Sequence, residues 1–168
     1  MARARERNLT DGEIALCRTI FGEAVAWDIV TLHDGPGLNP IARIALGRGH
    51  LGITLGRRIY FREPPPADFG AADEAAKVLF VHEMTHVWQY RRLGMLRFLL
   101  RYADEFFAHG ASSARLYAFV PGRTRFAAAT LEAQAEIVGD YSRALWKEAG
   151  PDPALAFNMA GSGLYGGL

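Results

Sequence analysis

The sequence predicts a single α+β domain in which a small sheet precedes a long helix, and a second helix follows further along the chain. Short β-branched segments separated by glycines, which are typical of strands, occupy much of the chain before Glu63. Beyond that point, apolar residues recur at helical spacing in Ala75–Arg92 and again in Thr130–Tyr141. We expect residues 1–168 to form one domain, because domains commonly hold about 100–150 residues.

Composition and charge exclude several classes of protein. Lys and Arg number 19 against 18 Asp and Glu, a net charge of +1 that argues against a dedicated nucleic-acid binder. The single Cys17 permits no internal disulfide and is expected in a helix core. No run approaches the roughly 18 apolar residues of a membrane span, and no apolar segment follows the arginines of the first seven residues as in a signal peptide. We therefore expect a soluble chain, cytoplasmic as synthesised, that only a signal-independent secretion system would export.

The first part of the chain predicts one helix and then the sheet. Thr10 and Glu13 have the spacing of a capping box, which predicts a helix to about residue 21 or 24. Trp27–His33 is β-branched and ends at a turn, so it predicts a strand, in which the lone His33 is expected to be structural or exposed. Asn39–Phe61 predicts further short strands or hairpins. The prolines after Glu63 end the sheet, since proline cannot donate to a β-ladder.

The chain around the second long helix is predicted from similar patterns. Met95–Phe107 predicts an amphipathic helix that packs in the domain or touches a membrane or partner. Leu116–Val120 predicts a short extended segment, and the last helix is expected to run from about Phe126 to Ala149. Residues 1–8 and the Gly-rich residues 160–168 are expected to be flexible. In the amphipathic helix, three leucines are expected to face inward: Leu96, Leu99 and Leu100.

The most informative pattern is H-E-x-x-H, formed by His82-Glu83-Met84-Thr85-His86 within the first long helix. Four residues make about one turn, so His82 and His86 share a face and can reach one metal ion at roughly 2.0–2.1 Å. Glu83 lies beside the open position, where a carboxylate can take a proton from metal-bound water. The bare pattern also occurs by chance, but the apolar flanks predict buried histidines, which need polar partners. We interpret it as a zinc hydrolase site.

A catalytic zinc site with three protein ligands needs a third ligand from elsewhere in the chain. Glu132, Glu136 and Asp140 are spaced by four and therefore lie along one helical face. Such an acidic stripe can simply be solvated. Beside the H-E-x-x-H pattern, we interpret it as supplying one carboxylate to zinc and another that braces a ligand imidazole. The residues alone leave open which carboxylate has which role.

The segments LFVHEMTHVWQ and LEAQAEIVGDY together resemble a known family of proteins. They are similar to the gluzincin metallopeptidases, and more closely to the short bacterial Vgr-related proteins, zincin-type peptidases associated with contractile secretion systems. The resemblance covers roughly Leu9 to Tyr141, and only the two helices carry it sharply. It implies a zincin-like domain in which the small sheet precedes the metal-binding helix. The edge strand of such a sheet holds an extended peptide, and we expect Arg57–Phe61 to be that strand.

The resemblance also implies a role for each site residue. His82 and His86 are zinc ligands, Glu83 is the general base, and Glu132 is the third ligand. Glu136 then braces a ligand histidine. A competing register uses Glu136 as the ligand with Asp140 behind it, and the sequence does not exclude that register.

The function implied is zinc-dependent hydrolysis of a peptide bond in a peptide or protein substrate. Zinc would lower the pKa of its water to about 7, and Glu83 would take the proton and pass it to the leaving amine. His109, Tyr117 and Tyr141 are conceivable hydrogen-bond donors in the transition state, and no spacing selects one of them. The alternative is a catalytically silent zincin-like module that serves as a structural or delivery component of a secretion particle. The presence of Glu83 favours the enzyme, since a structural zinc site needs no base.

Overall fold

Four short strands form a mixed sheet in the computed structural model, which describes residues 6–165. The strands are β1 Glu6–Asn8, β2 Thr31–Asp34, β3 Gly52–Leu55 and β4 Arg58–Phe61, in the spatial order β1-β2-β4-β3. β2 and β4 are parallel, and the other two pairs are antiparallel. The prediction that Arg57–Phe61 is the edge strand is wrong: β4 pairs on both sides, and β3 lies at the edge. Three consecutive buried residues, Ile59 to Phe61, suit the interior position.

The described part of the chain also contains seven α-helices, and with the sheet they form one α+β domain, as the sequence predicts. They are α1 Asp11–Phe21, α2 Pro40–Gly47, α3 Glu74–Leu93, α4 Met95–Ala108, α5 Ser113–Leu116, α6 Leu131–Leu145 and α7 Pro153–Met159. The capping box of Thr10 and Glu13 at the start of α1 is confirmed. None of the helices within residues 6–165 combines the length and the apolar character that a membrane crossing requires.

The long helix α3 is the centre of the domain. Asp73 caps its first turn by accepting a hydrogen bond from Ala76 N–H, and every residue from Phe80 to Tyr90 is buried. It packs mainly against α6 and also against β3. Gly139 of α6 allows this approach, because a Cβ there would lie 3.3 Å from Val78 Cγ1. The main core lies between α3, α1, α6 and the sheet, and it contains Cys17, as expected.

Three segments that the sequence predicts to be extended contain helical turns. Most of the first half of Asn39–Phe61 is α2, which Asn39 caps by accepting from Ile41 and Ala42 N–H, with Pro40 in the first turn. The glycines of this stretch indicated strands, but the Asn-Pro start signal of a helix prevails. In Trp27–His33, a 3₁₀ turn covers Trp27–Ile29 before β2 begins. Leu116 ends the short helix α5, and no strand follows it up to Val120.

The later helices also differ in detail from the prediction. α6 begins at Leu131, after a 3₁₀ turn at Phe126–Ala128, and it ends at Leu145; α7 was not anticipated. In α4 the leucines expected to face inward are exposed, and Phe98 is the buried residue, stacked on Tyr90 at 3.7 Å between ring centroids. An aromatic ring covers more area than leucine and takes the place against α3.

The expected flexible ends correspond to packed structure where the chain is described. Residues 6–8 form β1. Leu164 is buried, and the backbone N–H of Tyr165 donates to Ile20 O. Residues 1–5 and 166–168 lie outside the described part of the chain.

Candidate metal centre

Helices α3 and α6 bring His82, His86 and Glu132 together, and all three side chains are buried. The two histidines lie one turn apart on α3 and therefore project from one face. Thr130 caps α6 by accepting from Ala133 N–H, which places Glu132 in the first turn of that helix. These three residues are a possible metal-binding triad.

The distances within the triad fit a metal ion. Glu132 Oε2 lies 3.3 Å from His82 Nε2 and 3.1 Å from His86 Nε2, and the two nitrogens are 3.3 Å apart. Zinc binds nitrogen and oxygen at about 2.0–2.1 Å in tetrahedral geometry, so two of its ligand atoms should be about 3.3 Å apart. The dimensions of the triangle of donor atoms are therefore compatible with a tetrahedral metal site.

The far side of the His86 ring is held by Gln89, which is buried. Gln89 Nε2 donates to Leu131 O and to Gln134 Oε1, each at 3.0 Å, so its oxygen must face the histidine. His86 Nδ1 donates to that oxygen at 2.8 Å. This hydrogen bond leaves Nε2 directed at the centre of the triad, as in metal sites where an outer residue orients a ligand histidine.

The His82 ring is held in the same way by a carboxylate. Its Nδ1 lies 3.2 Å from Oε1 of Glu136, which is partly exposed. Glu132 is therefore one corner of the triangle, and Glu136 lies on the opposite side of the His82 ring. Asp140, the outer carboxylate of the competing register, lies 3.4 Å from the guanidinium of Arg143.

Glu83 stands apart from the triangle and is held by β3. Its Oε2 accepts a hydrogen bond from Thr54 Oγ1 at 2.7 Å, and the same hydroxyl reaches the backbone oxygen of Glu83 at 3.1 Å. Gly52 leaves room for this carboxylate, since a Cβ at that position would lie 2.6 Å from Glu83 Oε1. The edge strand thus sets the position of the carboxylate beside the triad.

The triad and Glu83 line a cavity of about 570 Å³. α2 and β3 form one wall with Ile41 and Ile44, and α4 forms another with Leu99 and Phe106. Much of this lining is apolar, and the polar groups of the triad and Glu83 lie within it, as in many small-molecule and substrate sites.

Among the three candidate donors, Tyr117 alone lies in the cavity; its ring stacks on His82 with 5.8 Å between centroids. His109 Nδ1 instead donates to Glu105 O, and Tyr141 packs on Tyr165 in the core. Tyr102 also lines the cavity, and no sequence pattern indicated it.

The lone strand histidine, His33, does not line this cavity. It stacks on Tyr60 with 4.6 Å between centroids, which agrees with the structural role expected of it.

The charges of the cluster are strongly coupled. Burial lowers the pKa of His82, but hydrogen bonds to Glu132 and Glu136 outweigh this effect and raise the pKa to about 10. Burial alone would raise the pKa of Glu132, yet the two histidines hold it well below its usual range. Burial and the negative charge of Glu132 raise the pKa of Tyr102 to about 12 and also raise that of Tyr117. Both tyrosines therefore keep their protons and can donate hydrogen bonds.

These observations define a class of protein: an α+β fold that carries a buried His-His-Glu cluster in a cavity. No family model matches the chain. Over 137 residues it is 30% identical to the type VI secretion system spike protein VgrG2b of Pseudomonas aeruginosa, a match that covers 80% of this chain and 13% of that protein. The chain therefore spans only about an eighth of the length of this curated relative.

A solved structure is similar over nearly the whole chain. The effector domain of Pseudomonas aeruginosa VgrG2b superposes with a TM-score of 0.67 and 27% sequence identity, covering 92% of this chain and 82% of that domain. The two comparisons support homology to the VgrG2b effector domain. Neither of them indicates a gluzincin peptidase family.

Proposed function

We propose that this chain is a zinc-dependent peptidase that acts as an effector of a type VI secretion system. The observation that carries the enzymatic part is the triangle of donor atoms from His82, His86 and Glu132, with separations of 3.1–3.3 Å. Homology to an effector domain of a secretion-system spike protein supports the second part.

The ligand set suits zinc by its chemistry. Two imidazoles and one carboxylate are the protein ligands of a known class of catalytic zinc sites, which leave the fourth position open. Zinc held by these residues would supply Lewis acidity and would make a water molecule nucleophilic near neutral pH. Gln89 and Glu136 hold the Nδ1 atoms of the two histidines, so both Nε2 atoms are presented to the ion.

Glu83 is the general base of the proposed reaction. It is not part of the triangle, and Thr54 keeps its carboxylate at the cavity wall next to the ligands. There it takes the proton of the attacking water and passes it to the amine of the leaving peptide fragment, as a carboxylate beside a metal can. A buried carboxylate in this position would have no use in a purely structural metal site.

Tyr117 and Tyr102 are the candidate donors to the oxygen of the scissile carbonyl, which gains negative charge in the transition state. Both hydroxyl-bearing rings line the cavity next to Glu132. Their raised pKa values keep the hydroxyls protonated across the physiological range.

The substrate backbone is placed along β3. This strand is at the edge of the sheet, and within residues 6–165 no other strand pairs with its outer side. An extended peptide can therefore add to the sheet by main-chain hydrogen bonds. It would lie in the cavity, with Glu83 and the triad beside it.

A catalytically silent delivery module is the second candidate, and the similarity to a spike protein is the observation that favours it. The two candidates differ in one measurement. The purified chain, loaded with zinc, is incubated with casein and with a mixed peptide library, and new amino termini are quantified.

If the chain is a peptidase, it should cleave these substrates, and Glu83→Gln should lower the cleavage rate by about 10²–10⁴-fold. Its zinc content should be unchanged, because Glu83 is not a proposed ligand. Thr54→Ser, which keeps the hydroxyl that holds Glu83, is the matched control and should retain most of the rate. Full zinc occupancy with no cleavage of any substrate would favour the silent module. Cleavage that is unchanged in Glu83→Gln would refute the mechanism.

A further inference from the structure

A second cavity, of about 480 Å³, lies where β3 turns into β4. Its floor is apolar and includes Val25, Val30 and Val87. Leu55 and Tyr90 line both this cavity and the one that contains the triad. The two cavities are therefore neighbours, and β3 leads from one to the other: Gly52 is next to Glu83, and Leu55 borders the second cavity.

The rim of the second cavity is positively charged. Arg57 and Arg58 come from the β3–β4 turn and the start of β4, and Arg91 comes from the last turn of α3; all three are exposed. No aspartate or glutamate lines this cavity. Within residues 6–165, none of the three guanidinium groups has a hydrogen bond or an ion pair, whereas Arg7, Arg101 and Arg143 each have a carboxylate partner.

Guanidinium groups above an apolar floor match a ligand that carries both a carboxylate and apolar groups. The planar fork of arginine binds the two oxygens of a carboxylate in parallel hydrogen bonds. A Lys or Arg side chain in the same place would meet three positive charges and no negative one. Charge complementarity thus selects an acidic ligand.

We infer that the second cavity binds a carboxylate of the peptide whose backbone lies along β3, with apolar side chains on the cavity floor. This inference rests on the proposed function for the path of the peptide. A strand rises about 3.3 Å per residue, so the three steps from Gly52 to Leu55 separate the two sites by about 10 Å. The substrate class is therefore an apolar peptide with an acidic group about three or four residues from the scissile bond. The carboxylate belongs either to an acidic side chain or to the C-terminus.

Binding to the zinc-loaded Glu83→Gln chain tests the inference without hydrolysis. Three hexapeptides of alternating Ala and Leu, each with an uncharged dansyl group on its N-terminus, serve as probes in anisotropy titrations: one with an amidated C-terminus, one with a free C-terminus, and one amidated with a single Leu replaced by Glu. At least one carboxylate probe should bind about tenfold more tightly than the neutral amide, as for hydrogen bonds to a charged group. Which of the two does so identifies the source of the carboxylate.

Variants test whether the preference for carboxylate probes comes from the second cavity. Arg57→Ala combined with Arg91→Ala should abolish it while the neutral probe keeps its affinity. Arg97→Ala is the matched control, because Arg97 is an exposed arginine that lines neither cavity, and it should keep the preference. Circular dichroism verifies that the variants are folded.

Equal affinity of all three probes for the parent chain, or equal loss of the preference in Arg97→Ala, would overturn the inference. So would failure of every probe to bind at millimolar concentration. A different result is binding that depends on the arginines while the parent chain, which retains Glu83, cleaves no peptide. That result would refute the proposed function and leave the carboxylate site standing.

Discussion

At the scale of single residues, the three carboxylates on one face of α6 make different contacts. Glu132 Oε2 is within 3.3 Å of both histidine Nε2 atoms, Glu136 contacts only the outer nitrogen of His82, and Asp140 contacts Arg143. Zinc affinity should therefore fall by different amounts when each is replaced. Glu132→Ala should lose most of the affinity, and Glu136→Ala should lose about 10–100-fold, the usual cost of losing an outer partner.

Asp140→Ala is the control in this series, and its affinity should stay close to that of the parent. Competition with a fluorescent zinc chelator measures all three variants under one condition. Loss of zinc in Glu136→Ala combined with tolerance of Glu132→Ala would establish the competing register. Equal, small effects in all three variants would show that α6 does not ligate the metal.

The coupled protons of the cluster predict how metal affinity depends on pH. Without a metal, the pKa of His82 is raised to about 10. At pH 7.5 both ring nitrogens are therefore protonated and the ring is positively charged. A ligand imidazole must be neutral, and zinc must therefore displace that proton. Affinity should rise with pH, by about tenfold per unit for one displaced proton, from neutral pH up to about pH 10.

Calorimetry at pH 7.5 in buffers of different ionisation enthalpy should show at least about one proton released per zinc bound, since the pKa of His86 is raised as well. Glu136→Gln removes the negative charge of one of the two hydrogen-bond acceptors that raise the pKa of His82, so the pH above which proton release declines should lie below its value in the parent chain. Proton release of zero in the parent chain would contradict the charge state assigned to His82.

At the scale of elements, the role of β3 in the site depends on the lack of a side chain at Gly52. Gly52→Ala would place a methyl group 2.6 Å from Glu83 Oε1, so the carboxylate would have to move away from Thr54. We expect zinc content to remain unchanged and peptide cleavage to fall by roughly tenfold or more, a part of the general-base contribution. Steady-state kinetics and metal analysis of the same preparation test both.

Gly47→Ala is the matched control, because a Cβ on that α2 glycine would meet no atom within 4 Å and its backbone needs no positive φ. Thr54→Val removes only the hydroxyl that holds Glu83 and should act in the same direction as Gly52→Ala. Full activity in both Gly52→Ala and Thr54→Val would show that the position of Glu83 is not set by β3.

The elements differ in how far the sequence could predict them. α3 was predictable because an unbroken helical pattern is long, and its H-E-x-x-H spacing places two histidines on one face whatever surrounds them. Gln89 was also within reach, since it follows His86 by three positions and so lies on the same face. α2 was misassigned because its glycine-rich surroundings indicated turns, while the helix depends on a short Asn-Pro start.

The remaining site residues have no local signature. Thr54 and Tyr102 enter the site only because β3 and α4 both pack against α3. Contacts of this kind depend on tertiary structure and on no spacing along the chain. The pairing of β4 with both β2 and β3 is likewise a long-range choice, and the local alternation in Arg58–Phe61 could not show whether the strand lies inside the sheet or at its edge.

At the scale of the whole molecule, the triad joins α3 to α6, so a bound ion would cross-link the two helices at the centre of the domain. A ligand that binds only the folded chain stabilises it by about 4 kcal/mol at a thousandfold excess over its Kd. For a domain of this size, about 1 kcal/mol shifts Tm by roughly 2–4 °C. Zinc should therefore raise Tm by about 8–16 °C over the chelator-treated chain, measured by scanning calorimetry.

The variant His86→Ala tests whether that stabilisation comes from zinc bound at the triad. With two ligands left, the variant should bind zinc poorly, and its Tm should be nearly the same with zinc and with chelator. A Tm shift as large as in the parent chain would mean that zinc binds somewhere other than the triad.

The hydrogen bond from Thr54 to Glu83 has one more consequence. In the proposed complex, the strand that carries Thr54 is also the strand along which the peptide lies. Glu83 itself belongs to α3, together with His82 and His86, so this hydrogen bond joins the helix of the ligands to the strand of the substrate. A displacement of the sheet relative to α3 would stretch the bond. The bond therefore opposes any change in the distance between the peptide and the ligands.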